Sequence, residues 1–298
     1  MRATSSELAT HILYDVQQAY ERLSNTQRKL STGKAVSQVE DDPVAAGRAM
    51  FLRGQVSDLN QYQTNVGEAL GWLNASDSAI GSVQDVMKRA KTLLVQAANG
   101  TVDQKGLDAI ATEINKLIDG ARGDMNASFA GRYLFGGTQT LAPPYPGAAL
   151  AYAGDANQMQ RVIGESQSVP LNLVGFQAFS VPNTAGGQNV LQLLDQLKTD
   201  LQAGNRAALG NADMTATDAM LDQLSGARAE VGSRVNRLTT EDSRLKDLTL
   251  NVQSLLSKTE DADMAKTMID YSTQQATYQS ALQSGARVVQ PSLLDFLH

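Results

Sequence analysis

PVAAGRAMFLRGQVSDLNQYQTNVGEALGWLNASDSAIGSVQDVMKRAKTLLVQAA, residues 43–98, decides the fold class. Ala49, Leu52, Val56, Leu59, Gln63, Val66, Leu70 and Leu73 recur at intervals of 3 and 4, the spacing of one face of an α-helix. Beyond Leu73 the stripe is read as changing phase and continuing through Ile80, Val83, Met87, Leu94 and Ala97. As one helix, residues 44–98 span about 80 Å at ~1.5 Å per residue. That is far beyond an ordinary globular helix and predicts a rod. Asp42 stands where a cap belongs, and Pro43 takes the first helical position, where a missing N–H costs nothing. Glu40 and Asp41 add negative charge at the positive end of the helix dipole. Asn99–Gly100–Thr101 ends the helix.

On the amino-terminal side, Ile12, Val16, Ala19, Leu23, Thr26 and Leu30 are spaced 4, 3, 4, 3, 4. That is a heptad seam, which faces another helix. Gly33 closes this first helix, since glycine accepts the left-handed conformation. On the carboxy-terminal side, residues 103–126 predict a third helix with Leu107, Ile110, Ile114, Leu117 and Ile118 on one side. SFAGRYLFGGTQTLAPPYPG, residues 128–147, is extended, its glycine pair and prolines marking a boundary. Phe129, Tyr133 and Phe135, with Arg132, Gly136 and Gly137, are expected to pin the turn at the rod tip.

Residues 148–183 have strand-like patches broken by turns, with Asn183 to Gly187 as an exit loop. Helix resumes over 189–203. Near Ala216 a second long stripe begins, carrying Leu221, Leu224, Val231, Val235, Leu238, Leu245, Leu248, Val252 and Leu255. The last arm offers Ala262, Met264, Met268, Tyr271, Ala276 and Leu282 as its better-packed positions. The expected fold is mainly α: a long antiparallel coiled-coil or helical-bundle rod with a small inserted β-rich domain. Neither terminal arm holds enough large apolar residues to be stable alone, so each is expected to order against other copies or a partner.

Composition narrows the chemistry. The 298 residues include no cysteine, a single Trp72, and only His11 and His298 as histidines. Thiolate chemistry is excluded, and a histidine-based metal site or relay has no material. The net charge of −6 opposes phosphate binding, so nucleic acid is not an expected partner. No stretch reaches 18 apolar residues, so no membrane insertion is expected. The start lacks the apolar core of a cleaved secretory signal.

Two acidic clusters ask to be read as metal sites. Glu40, Asp41 and Asp42 read instead as capping residues, and Glu260, Asp261 and Asp263 as a solvated turn or an acidic helix start. Neither has the alternating ligands and fixed glycine of a calcium loop. Gly131, Gly136 and Gly137 do not make a phosphate loop. No enzyme activity and no cofactor are expected.

Four segments carry a resemblance: residues 22–62, from RLSNTQRKLSTGKAV through EDDPVAAGRAM to LNQY; GRYLFGGTQT, residues 131–140; AYAGDANQMQRVIGESQSVPLNLVG, residues 151–175; and residues 256–297, from LSKTEDADMAKTMIDY to VVQPSLLDFL. Together they resemble the bacterial flagellin-type axial proteins, and within them the hook–filament junction branch, hook-associated protein 3. The resemblance implies an inner helical domain from residues 1–42 and 256–298, and a rod from 43–140 and 190–255. It makes 141–189 an outer β-rich domain.

It further implies an extracellular place at the hook–filament junction, reached by type III flagellar export. The implied partners are hook-associated protein 1, flagellin, a ring of further copies and a cytoplasmic export chaperone. Read with the seam, it makes Ile12, Val16, Ala19, Leu23, Leu30, Leu282, Val289 and Leu293 the assembly interface, and Gly33, Asp41, Asp42 and Pro43 the turn and helix start. Filament flagellin and a soluble coiled-coil interaction module stay open as alternatives.

Overall fold

Helix α2 (Pro43–Ala98) is the long element that the 3-and-4 spacing predicts. In the computed structural model, residues 2–182 and 186–289 are described. Helix α1 (Arg2–Thr32) precedes α2, and α3 (Gln104–Met125) follows it. Then come β1 (Ser128–Phe129), β2 (Arg132–Tyr133), β3 (Gln160–Gly164), β4 (Gln167–Pro170), α4 (Gly175–Phe179), β5 (Ser180–Val181) and β6 (Gln188–Asn189). Helices α5 (Val190–Ala203), α6 (Arg206–Gly210), α7 (Ala212–Glu260) and α8 (Met264–Val289) complete the chain. It divides into two units, one made of residues 1–58 with 248–298, the other of 59–247.

The larger unit holds the hydrophobic core. Val66, Leu73, Ile80, Val83, Met87 and Leu94 of α2 are buried, and they join Leu107, Ile114, Leu194, Leu197, Leu224 and Leu238 from the other helices in one cluster. The phase change falls about one turn earlier than expected: the buried line runs Val66, Ala69, Leu73, Ser76 and Ile80, and Leu70 is only half-buried. Ser76 is buried in the stripe, its hydroxyl donating to the Trp72 carbonyl at 2.9 Å, so a polar residue keeps the heptad without an orphaned donor. Surface ties join the same helices. Arg228 grips both carboxylate oxygens of Asp77 at 2.9 and 3.1 Å, and Arg89 reaches Glu113.

The segment inserted between α3 and α5 is sparser in strand than the sequence suggests. Its three sheets are two-stranded antiparallel ribbons. β1 and β2 close on Ala130 and Gly131, both at positive φ, the conformation that two-residue hairpins favour. β3 and β4 carry a bulge between Val162 and Gly164. The hairpin packs on α2, where Phe129 meets Trp72 edge-on at 6.4 Å. A Cβ at Gly71 would lie 2.9 Å from the Phe129 ring, so only glycine lets that ring approach. Of the exit loop, Asn183, Thr184 and Ala185 lie outside the described residues.

The smaller unit pairs α1 with α8. Along α8 the covered positions are Thr267, Tyr271, Gln274, Tyr278, Ala281 and Gly285. Their spacing of 4, 3, 4, 3, 4 matches that of Ile12 to Leu30 on α1. A Cβ on Gly285 would come within 3.1 Å of Ile12, and Tyr20 meets Tyr278 at 5.9 Å. The α8 seam therefore offers two tyrosines and otherwise polar or small residues. Met264, Met268 and Leu282, expected among the better-packed positions, are exposed. A similar correction applies to α7 in this unit, where Leu248 and Leu255 are exposed and Thr249, beside Leu248, is buried instead.

Candidate assembly surface

The turn between α1 and α2 is built residue by residue. Gly33, at φ +70°, ends α1 with its N–H on the Lys29 carbonyl at 2.9 Å. Asp41 knots the loop that follows, accepting from the amides of Ser37 at 3.1 Å and Gln38 at 3.0 Å and from Arg28 at 2.9 Å. Partial burial pushes its carboxyl up, but those amides and the Arg28 guanidinium outweigh it and hold the pKa below the ordinary 3.8. Asp42 accepts from the amides of Val44 and Ala45, both at 3.0 Å. Pro43 then opens α2.

This turn is fastened to the junction of α7 and α8. Ala35 N–H donates to the Glu260 carbonyl at 2.7 Å, and Ala262 N–H to the Gly33 carbonyl at 2.9 Å. Lys34 and Asp261 form an antiparallel bridge. The Glu260 side chain lies under this bridge, only 4% of the residue exposed, and pairs with both Lys34 and Arg53. The reading of Glu260 as part of a solvated turn is thus corrected. Two cations from separate segments compensate the carboxylate, which is how a buried charge is tolerated. Asp263 meets the expectation of a helix start: it accepts from the Lys266 amide at 3.1 Å and caps α8.

Near this clasp Val44, Met50, Phe51, Met268 and Ile269 are apolar and exposed, and farther along the helices of the same unit Leu13, Tyr14 and Leu250 are exposed too. Of the residues read as the assembly interface, Ala19 is buried, Ile12, Val16, Leu23 and Leu30 are half-buried, and Leu282 is exposed. The Val289 side chain and Leu293 lie outside the described residues. The strict 3-and-4 stripe thus marks the covered seam. The exposed apolar residues beside it went unread because they sit off the stripe. Phe51, next to the buried Leu52, was the available signal.

The residues read as the rod tip belong to the larger unit. Arg132 is exposed and Tyr133 half-buried, while Phe135 is buried edge-on against Phe179 at 4.7 Å. A Cβ on Gly136 would clash with the Gln139 carbonyl, and Gly137, at φ +72°, is closed over by Asp155. Asp155 accepts from the amides of Thr138 at 2.9 Å and Asn157 at 3.0 Å. Its hydrogen bonds with Thr138, side chain and amide, hold the carboxyl below 3.8. These residues shape the start of the inserted segment.

Among the described residues no arrangement for catalysis emerges. A cavity of about 360 Å³ is lined by Gln158, Gln177, Gln223 and Arg234 among others. Its guanidinium is already engaged, by Glu230 at 2.8 Å and by the Pro170 and Asn172 carbonyls at 3.3 and 3.1 Å. Among the described residues no group of His, Asp or Glu could hold a metal ion, and no helix is long and apolar enough to cross a membrane.

Comparison with known proteins agrees with this architecture. Residues 6–140 match the bacterial flagellin N-terminal helical region and residues 214–297 its C-terminal helical region. The flagellar hook-associated protein 3 of Salmonella typhimurium is 26% identical, covering 92% of this chain and 94% of its own. A flagellin of Bacillus subtilis is 27% identical, covering 82% and 81% respectively. In fold, the flagellar hook-associated protein-3 of Legionella pneumophila superposes with a TM-score of 0.63 at 14% identity, over 70% of this chain and 98% of that one. The chain belongs to the flagellin family of flagellar axial proteins, and its function is structural.

Proposed function

We propose that this chain is the adaptor at the hook–filament junction, seated on hook-associated protein 1 and followed by flagellin. The observation that carries the proposal is the apolar surface around the Glu260 clasp. Side chains such as Phe51 and Ile269 are held outward by ordered helices, and each gains roughly 1.5–3 kcal/mol on full burial. A ring of neighbouring copies supplies that burial. The likeness to hook-associated protein 3 over 92% of the chain supports a junction position for this surface.

In this reading residues 1–42 and 256–298 form the inner domain, 43–140 and 190–255 the rod, and 141–189 the outer domain. Ile12, Val16, Ala19, Leu23, Leu30, Leu282, Val289 and Leu293 contribute to packing between copies, and Arg132 to Gly137 sit at the rod tip. Before assembly the same apolar side chains need cover. A cytoplasmic chaperone holding the carboxy-terminal arm, and export through the flagellar type III apparatus to the cell exterior, meet that need. Purified protein is mixed with hooks bearing hook-associated protein 1, or with flagellin seeds, and imaged by negative-stain electron microscopy. Short caps on hook ends, with no extension by this chain alone, are expected. Removing residues 1–30 abolishes the caps and leaves the larger unit folded.

A second reading, filament flagellin, is favoured by the comparable identity to the Bacillus subtilis flagellin. Long filaments grown from this chain alone would establish it and overturn the junction role.

A further inference from the structure

The chain lacks cysteine, so its thioethers are the softest groups open to an oxidant. The methionines divide by unit. Met50, Met264 and Met268, all in the smaller unit, are 62, 46 and 60% exposed. Met87, Met125 and Met220 are buried in the core of the larger unit, and Met159 and Met214 pack against that core. The exposed three also flank the clasp. Met50 stands one turn before Arg53 on α2, and Met264 and Met268 lie one turn apart just after Glu260.

We propose that Met50, Met264 and Met268 are oxidative modification sites, and that their conversion to sulfoxides in the unassembled chain blocks joining; this rests on the assembly surface proposed above. The oxidant is a peroxide. The thioether sulfur attacks one peroxide oxygen, an S–O bond forms and the O–O bond breaks. The proton on the transferred oxygen passes to the departing hydroxide, which leaves as water. Sulfur is oxidised by two electrons and the peroxide reduced by two. The product is a polar, chiral side chain where the surface needs an apolar, adaptable one. In an assembled ring the same sulfurs are covered, so unassembled copies are the vulnerable form.

The full-length unassembled protein is exposed to hydrogen peroxide, with oxygen uptake mapped by peptide mass spectrometry. It is then added to hooks bearing hook-associated protein 1. Met50, Met264 and Met268 are expected to oxidise about tenfold faster than Met87, Met125 and Met220, as exposure directs. Joining is expected to fall about tenfold with helix content unchanged, and to return after treatment with methionine sulfoxide reductases A and B. Equal oxidation rates in the two groups, undiminished joining by the oxidised chain, or no recovery after reduction each overturn the proposal. Peroxide should leave the joining of M50L/M264L/M268L at the level of the same variant untreated, and a peroxide-induced loss in that variant also overturns it. Failure of untreated protein to join counts against the junction role itself, while the order of oxidation is still read by mass spectrometry.

Discussion

The two units of this chain use similar helices for opposite ends. In the larger unit, apolar stripes meet apolar stripes; its only large exposed apolar side chains among the described residues are Val95, Phe129, Leu141 and Val162. In the smaller unit the buried apolar residues are Ala19, Ala46, Ala49 and Leu52, while leucines, methionines, tyrosines and a phenylalanine stand outside. The difference lies in partner faces. The α1 stripe is apolar, but the α8 stripe opposing it is Thr267, Tyr271, Gln274, Tyr278, Ala281 and Gly285. Such a pair forms with little transfer free energy to hold it. The first unit is a finished core, and the second keeps its larger apolar groups for contacts outside itself.

The sharpest test of that contrast is a large-to-small change on each side. Phe135→Ala removes a buried ring from the larger unit and should cost about 4 kcal/mol. Leu13→Ala, at an exposed position of the smaller unit, should cost less than about 0.5 kcal/mol. Thermal unfolding followed by circular dichroism measures both. Equal losses would erase the distinction between the units.

The clasp comes next in size, because it gives the smaller unit order that its seam does not. Glu260→Ala leaves Lys34 and Arg53 facing one another without their shared carboxylate. Loss of a buried partner costs about 3–5 kcal/mol where both groups are buried. Here Lys34 and Arg53 are partly solvated, so about 2 kcal/mol is expected. Hydrogen exchange at the Ala35 and Ala262 amides, which cross the clasp, should quicken, with amides of the larger unit unchanged. Unaltered exchange at those two amides would show that the backbone bridge holds without the ion pairs.

Much of this fold was legible in the sequence. The heptad from Ile12 to Leu30, the stop at Gly33, the cap at Asp42 and the break at Asn99 are each local signals, and the structure realises them. What escaped depends on pairing. Ser76 was left out of the stripe; its bond to the Trp72 carbonyl, which lets a hydroxyl lie buried there, is invisible in one dimension. Of the α8 seam only Tyr271 was read; its other residues are mostly polar or small, so the exposed Met264 and Met268 stood in for them in the apolar pattern. Glu260 resembled a surface acid because its cations stand far away in sequence, at Lys34 and Arg53. The candidate surface was legible as a region and not as a face, since period alone marks the covered side of a helix.

Making the α8 seam apolar should narrow the gap between the units. Gln274→Leu places a branched apolar side chain at a half-covered seam position and should stabilise the α1–α8 pair by about 1 kcal/mol. Slower hydrogen exchange along α1 is the readout. No change, or faster exchange, would mean that the seam geometry rather than its polarity limits the pair.

Acid separates the units by a smaller margin, and the sign differs between them. In the smaller unit, burial raises the Asp41 carboxyl, but the Ser37 and Gln38 amides and Arg28 outweigh it, leaving the folded pKa below 3.8. Its stabilising contribution is present above about pH 4 and is lost as pH falls through the depressed folded value. In the larger unit Asp155 is depressed in the same sense, chiefly by Thr138. There, however, Asp213 is raised by burial and by the nearby Asp200, and Asp124 is raised by burial. A raised carboxyl destabilises the fold while ionised, and that penalty is relieved as pH falls through the raised value toward 3.8. Between neutrality and about pH 4 the larger unit should therefore gain slightly while the smaller unit stays level. Below that range the smaller unit should loosen first. Asp41→Asn should remove the smaller unit's share of this acid dependence, and Asp213→Asn part of the larger unit's gain, the rest resting on Asp124, as read by hydrogen exchange at several pH values after correction for intrinsic rates. An acid response of equal sign and size in both units would show that the difference between a closed core and an open surface does not extend to their carboxylates.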